Sequence, residues 1–152
     1  MRNNQLMISV VDDEESVRKA LHRLLGAAGF DVQTCASGCE FLESLELLES
    51  LKLKRPDCVV LDLHMPGLSG LEVQQRLVHR NLKLPVIMMT GCDDPGLREQ
   101  ARKAGVKAYL TKPLEERTLL EAIAAAMLPG GAKERLKSEP PEASPRTFAA
   151  AI

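Results

Sequence analysis

The feature that most constrains this chain is an alternation, repeated five times, between a short apolar run and a segment with helical spacing. The apolar runs are Leu6–Val11, Asp31–Cys35, Cys58–Leu61, Val86–Met89 and Val106–Leu110. Between them, apolar residues recur three or four apart, as in Val17, Leu21, Leu24, Leu25 and Ala28, or Phe41, Leu42, Leu45, Leu48 and Leu51. Further helices are expected over about Leu71–His79, about Pro95–Ala104, and around Leu119, Leu120, Ile123 and Met127. Gly29 is placed as a helix stop, and Pro56 is expected to end the second helix. Strands that alternate with helices predict an α/β fold with a parallel sheet covered on both faces. The first, third and fourth runs are almost wholly apolar, as central strands should be. The second alternates and is expected at an edge.

Composition sets limits on function. The hydrophobic share of 45% supports a full core, and with only 3% aromatics that core must be aliphatic. Twenty basic residues balance 21 acidic ones, without the basic footprint of a nucleic-acid binder. The run from Leu6 to Val11 is too short for a signal peptide or a membrane span, so a cytoplasmic protein is expected. Cys35, Cys39, Cys58 and Cys92 form no C-x-x-C pair and show no metal-like spacing to His22, His64 or His79. They read as reduced structural thiols. After Met127 the composition changes. Residues 129–152 hold four Pro, Gly-Gly and interleaved charges, and read as a largely disordered tail after a domain of residues 1–128.

In an open parallel sheet the carboxyl ends of the strands form the ligand crevice. The first strand delivers Asp12 and Asp13 there, the third Asp62, the fourth Thr90, and the loop after the fifth Lys112. Two like charges 4 Å apart cost about 4 kcal/mol at an effective dielectric near 20. Lys112 can offset one carboxylate, and a divalent cation with oxygen ligands, best matched by Mg²⁺, can offset the rest. Carboxylates, a hydroxyl and an ammonium around such an ion are the parts of a phosphoryl-transfer site. Asp62, on the central strand beside the Pro66-Gly67 loop, is the best-placed nucleophile for an acyl phosphate. Thr90 and Lys112 would contact phosphoryl oxygens, and Asp12 and Asp13 would form the acidic metal pocket.

With these residues in place, the chain resembles the receiver domains of two-component response regulators over about residues 5–128. The resemblance rests on Val10-Val-Asp-Asp-Glu14, Val60-Leu-Asp-Leu-His-Met-Pro-Gly-Leu-Ser-Gly70, Met88-Met-Thr-Gly91 and Tyr109-Leu-Thr-Lys-Pro113, in order. Segments 62–71 and 84–90 look closest to FixJ-like receivers, which usually precede a DNA-binding helix-turn-helix domain. The resemblance implies a flavodoxin-like, CheY-like (βα)5 sheet in the order 2-1-3-4-5. It implies Asp62 as phosphoacceptor, Asp13 as direct Mg²⁺ ligand with Asp12 acting through water, and the His64 backbone carbonyl as the remaining protein ligand. Thr90 and Lys112 match the phosphoryl-binding pair. Tyr109 matches an aromatic switch that turns inward on activation, and the Lys112-Pro113 bond is expected to be cis. His64 and Cys92 occupy positions that tune acyl-phosphate hydrolysis in this family.

Two departures stand out. The interval from Asp13 to Asp62 is a few residues long, which places an extension in Glu43–Lys54, and the 24 residues after Leu128 are too few for a helix-turn-helix. The expectation is a stand-alone receiver, not an enzyme apart from autodephosphorylation. A histidine kinase or phosphotransfer protein would supply its phosphoryl group. A downstream protein would bind the face of helix 4, strand 5 and helix 5, with no direct nucleic acid and no membrane. Alternatives are the receiver part of a transcription regulator, a Mg²⁺-dependent aspartyl-phosphate hydrolase, for which the Asp-x-Asp spacing is missing at Asp12-Asp13, and a pseudo-receiver that is never phosphorylated.

Overall fold

A computed structural model describes residues 5–128. The expected tail at 129–152 lies outside the described residues. The chain runs through β1 (Met7–Val11), α1 (Glu15–Ala27), β2 (Asp31–Cys35), α2 (Gly38–Ser50), β3 (Cys58–Asp62), α3 (Gly70–His79), β4 (Val86–Thr90), α4 (Pro95–Lys103), β5 (Ala108–Thr111) and α5 (Glu116–Ala126). The strands form one parallel sheet in the order β2-β1-β3-β4-β5, with β2 at an edge as its alternating pattern predicts.

Strand alternation divides the core in two. Ile8, Val10, Cys58, Val60, Ile87, Met89 and Leu110 point to one face, where Leu21 and Leu25 of α1 and Leu119 and Ile123 of α5 cover them. Val11, Val59, Leu61, Val86, Met88 and Tyr109 point to the other, under α2, α3 and α4. Both faces of β3 and β4 are therefore buried, which is why these strands read as unbroken apolar runs. Each fully buried Leu or Ile, such as Leu25 or Ile123, contributes about 1.5–3 kcal/mol.

Two boundaries differ from the sequence expectation. β5 starts at Ala108 because the Val106 N–H still bonds the Ala101 carbonyl at 3.1 Å, and Gly105, at φ 97°, closes the α4 terminus. α2 stops at Ser50, well before Pro56. The Leu53 N–H turns back to the Leu48 carbonyl at 2.8 Å through Lys52 at φ 57°. The long interval after Asp13 thus ends in a loop, and Leu47, Leu51 and Leu53 are exposed rather than packed. The four cysteines are free, but only Cys35 and Cys58 are buried. Cys39 and Cys92 are exposed, so a purely structural role does not fit them.

α3 is tied closely to the end of β3. Ser69 and Glu72 form a capping box, each side chain bonding the other's backbone N–H at 3.1 and 2.8 Å. Gly70 packs onto β3 so tightly that a Cβ there would overlap the Asp62 carbonyl oxygen and lie 2.9 Å from the Leu63 Cα, both backbone atoms. Gly70→Ala is expected to cost about 3 kcal/mol, the top of the overpacking range. Gly26→Ala, inside α1 with open space around it, should gain about 1 kcal/mol from helix propensity. Urea denaturation of the two variants checks both signs.

Candidate functional site

The sheet ladder continues one residue beyond its strands and so fixes the site. The Asp12 N–H bonds the Cys35 carbonyl at 3.1 Å, the Leu63 N–H bonds Met89 at 2.8 Å, and the Lys112 N–H bonds Thr90 at 2.7 Å. Asp12, Asp62 and Lys112 each continue the alternation of the residue two before, namely Val10, Val60 and Leu110, and all three of these point to the α1/α5 face. The three side chains therefore meet. Lys112 Nζ lies 2.8 Å from Asp12 Oδ2 and 3.4 Å from Asp62 Oδ1, with Glu14 Oε1 at 3.9 Å. Lys112-Pro113 is cis, as expected.

Asp12, Asp13 and Asp62 each offer an oxygen, and these oxygens lie within 4.8 Å of one another. Asp12 is 0% exposed and Asp62 3%, whereas Asp13 is exposed and opens the cluster to solvent. Burial, and then the negative charge of Asp12, push the Asp62 carboxyl up to about 6, although Lys112 opposes this. For Lys112, burial works against the ammonium, but Asp12 and Asp62 outweigh it and hold its pKa above the ordinary value. Three carboxylates against one ammonium leave two excess negative charges. An all-oxygen donor set with that excess suits a hard divalent cation such as Mg²⁺, and receiver domains typically bind Mg²⁺ at such an acidic pocket.

Thr90 follows the other parity, after Met88, on the α4 side that also carries Tyr109. Its hydroxyl closes a local turn, accepting from the Cys92 N–H at 3.1 Å and donating to the Cys92 carbonyl at 3.0 Å. His64 stands exposed on the loop after β3. Tyr109 is buried, at 7% exposed. It pairs in register with Met88 of β4 and belongs to the buried cluster that includes Ala101 of α4, and the Arg98 guanidinium of α4 lies 5.2 Å from the ring centroid.

Two contacts escape sequence reasoning. Arg18 reaches back from the first turns of α1 and donates to the Asp12 carbonyl at 2.8 Å, which steadies the acidic loop. Its spacing of six from Asp12 carries no motif. Arg98 pairs with Asp93 at 2.8 Å as well as covering Tyr109. Only its place on α4, opposite β5, hints at that contact.

A family model for the response regulator receiver domain matches residues 8–124. Among curated proteins, the transcriptional regulatory protein TdiR of Thauera aromatica is 39% identical over 124 residues, covering 82% of this chain and 52% of TdiR. FixJ of Bradyrhizobium diazoefficiens is 36% identical over 120 residues, covering 79% of this chain and 56% of FixJ. The chain thus spans about half the length of these relatives. Among solved structures, FixJ-N superposes with a TM-score of 0.71 at 34% identity, covering 82% of this chain and 94% of that one. A receiver protein from Burkholderia phymatum gives 0.71 at 43%, covering 81% of this chain and 95% of that one. Fold, motif order and family match agree: the chain belongs to the response regulator receiver domains of two-component signalling.

Proposed function

We propose that Asp62 accepts a phosphoryl group from a phosphohistidine on a histidine kinase or phosphotransfer protein, and that the modified domain signals through protein contacts in the cytoplasm. The observation that carries the reading is Lys112, set 2.8 Å from Asp12 and 3.4 Å from Asp62 beside a third carboxylate. An Asp62 carboxylate oxygen forms the new bond to phosphorus as the phosphorus–nitrogen bond breaks, and the departing imidazole takes up a proton. Lys112 faces the charge that gathers on the phosphoryl oxygens, and the Thr90 hydroxyl donates to one of them. Asp12, Asp13 and Asp62, with the His64 carbonyl, would hold Mg²⁺, which supplies further positive charge beside those oxygens when bound. Asp62 is consumed once per transfer, so the domain is a phosphoacceptor and not a turnover enzyme, apart from slow hydrolysis of its own acyl phosphate.

The output is assigned to the face of α4, β5 and α5. The added phosphoryl charge, about −1.5 to −2, would shift the population of that face toward a form that binds a downstream protein. No helix among the described residues is long and apolar enough to cross a membrane, in keeping with a cytoplasmic place.

Incubation with acetyl phosphate and Mg²⁺ should add one hydroxylamine-labile phosphoryl group per chain, read by intact mass. Asp62→Asn should abolish it, and Lys112→Ala should slow it by about 10²–10³-fold. Undiminished labelling of the Asp62→Asn chain would refute the assignment.

The same charge crowding makes a stability prediction. The fold favours protonated Asp62, so between its ordinary value of 3.8 and about 6 the native state binds more protons than the unfolded one. Stability from this group falls as pH rises through that window, and the deficit persists above it. In chelator at about pH 7.5, Asp62→Asn should be more stable than the wild type by about 2–3 kcal/mol, and the gap should close toward about pH 3.5. Urea melts at the two pH values check this. Excess Mg²⁺ should stabilise the wild type more than the variant.

A further inference from the structure

The contacts around Tyr109 connect β4, α4 and β5. Thr90 ends β4, and its hydroxyl is engaged with the backbone of Cys92. The next residue, Asp93, holds the Arg98 guanidinium at 2.8 Å across the first turn of α4. That guanidinium lies over the Tyr109 ring, 5.2 Å from its centroid. The Tyr109 hydroxyl is buried and makes no well-formed hydrogen bond. Burial chiefly, and then the charge of Asp93, push the phenol up, while Arg98 and the Thr90 hydroxyl pull it down, so all four groups sit in one electrostatic neighbourhood.

We infer that Arg98, held by Asp93, is a positioning residue for Tyr109, capping the ring and linking its position to the loop that carries Thr90. A guanidinium stacks on an aromatic face while its N–H groups still donate in the ring plane, so one arginine serves both contacts. The link to Thr90 rests on the phosphoacceptor reading above. A hydroxyl has one proton to donate. When Thr90 gives it to a phosphoryl oxygen on Asp62, the Cys92 carbonyl loses its partner and the 91–93 turn is loosened. Asp93 moves with that turn, and Arg98 moves with Asp93. The ring is then uncapped on the α4 side, which changes the surface offered by α4 and β5.

The chain has one tyrosine and no tryptophan, so its tyrosine emission reports Tyr109 alone. Acrylamide quenching is measured on the full chain as wild type, Arg98→Met, Arg98→Lys and Asp93→Asn, beside the urea midpoint of each. Arg98→Met should raise the quenching constant by about two- to fivefold, the equilibrium worth of an exposed cation–π contact. Arg98→Lys, which keeps a cation over the ring, should restore part of the protection, and Asp93→Asn should move in the same direction as Arg98→Met. A merely structural arginine would alter the midpoint without this graded pattern. After acetyl phosphate and Mg²⁺, wild-type quenching should change, and the Arg98→Met chain should take the same label with little further change. Quenching like the wild type in both Arg98→Met and Asp93→Asn overturns the inference, as does a full wild-type change in labelled Arg98→Met. If no chain takes a label on Asp62, the phosphoacceptor reading fails, and the capping role is decided by the unlabelled samples alone.

Discussion

Carboxylates that share a few ångströms of poorly hydrated space repel one another, and the rest of this structure is arranged around that repulsion. Asp12 and Asp62 are buried at the ends of adjacent strands, with Asp13 beside them. The sheet order makes this unavoidable, because β1 and β3 are neighbours and both end in acid. Lys112 reaches across from the end of β5 to meet both buried groups. It leaves a residual negative charge, which makes the pocket destabilising. A fold that wanted only stability would place an amide at position 62. Retaining the carboxylate raises its pKa to about 6 and keeps a third oxygen donor in the acidic cluster.

Strand parity separates the charged cluster from the surroundings of Tyr109. Asp12, Asp62 and Lys112 follow residues that face α1 and α5, while Thr90 and Tyr109 belong to the face covered by α4. Thr90 stands where the two meet, at the end of a strand adjacent to β3 on one side and β5 on the other. β4 therefore joins the charged cluster to the α4 face within one sheet. The tight seating of Gly70 against the Asp62 backbone ties the start of α3 to the end of β3.

The sequence made the sheet and the charged cluster readable because each of Asp12, Asp62, Thr90 and Lys112 directly follows an apolar strand. A strand end is a one-dimensional signal, and its neighbours follow from parallel topology. Less was readable where position depends on packing between elements. The C-terminal turn of α2 was expected to bury Leu51, but Lys52 adopts a left-handed conformation and the leucines beyond face solvent. Val106 was assigned to β5 from its hydrophobicity, yet its backbone N–H still belongs to the end of α4. The burial of Tyr109 comes from a cluster shared by several strands and helices, which no local pattern reveals. Arg98 and Arg18 were missed for the same reason. Long cationic side chains reach partners that their own sequence neighbourhood does not specify.

The central claim is that the carboxylate at the end of β3, and neither of its two acidic neighbours, takes the phosphoryl group. Borohydride reduction of an acyl phosphate converts the carrying aspartate to homoserine, which peptide sequencing locates. After reaction with acetyl phosphate and Mg²⁺, homoserine should appear at position 62 alone. Homoserine at position 12 or 13, or none at all in a chain that has gained a phosphoryl group, would contradict the account.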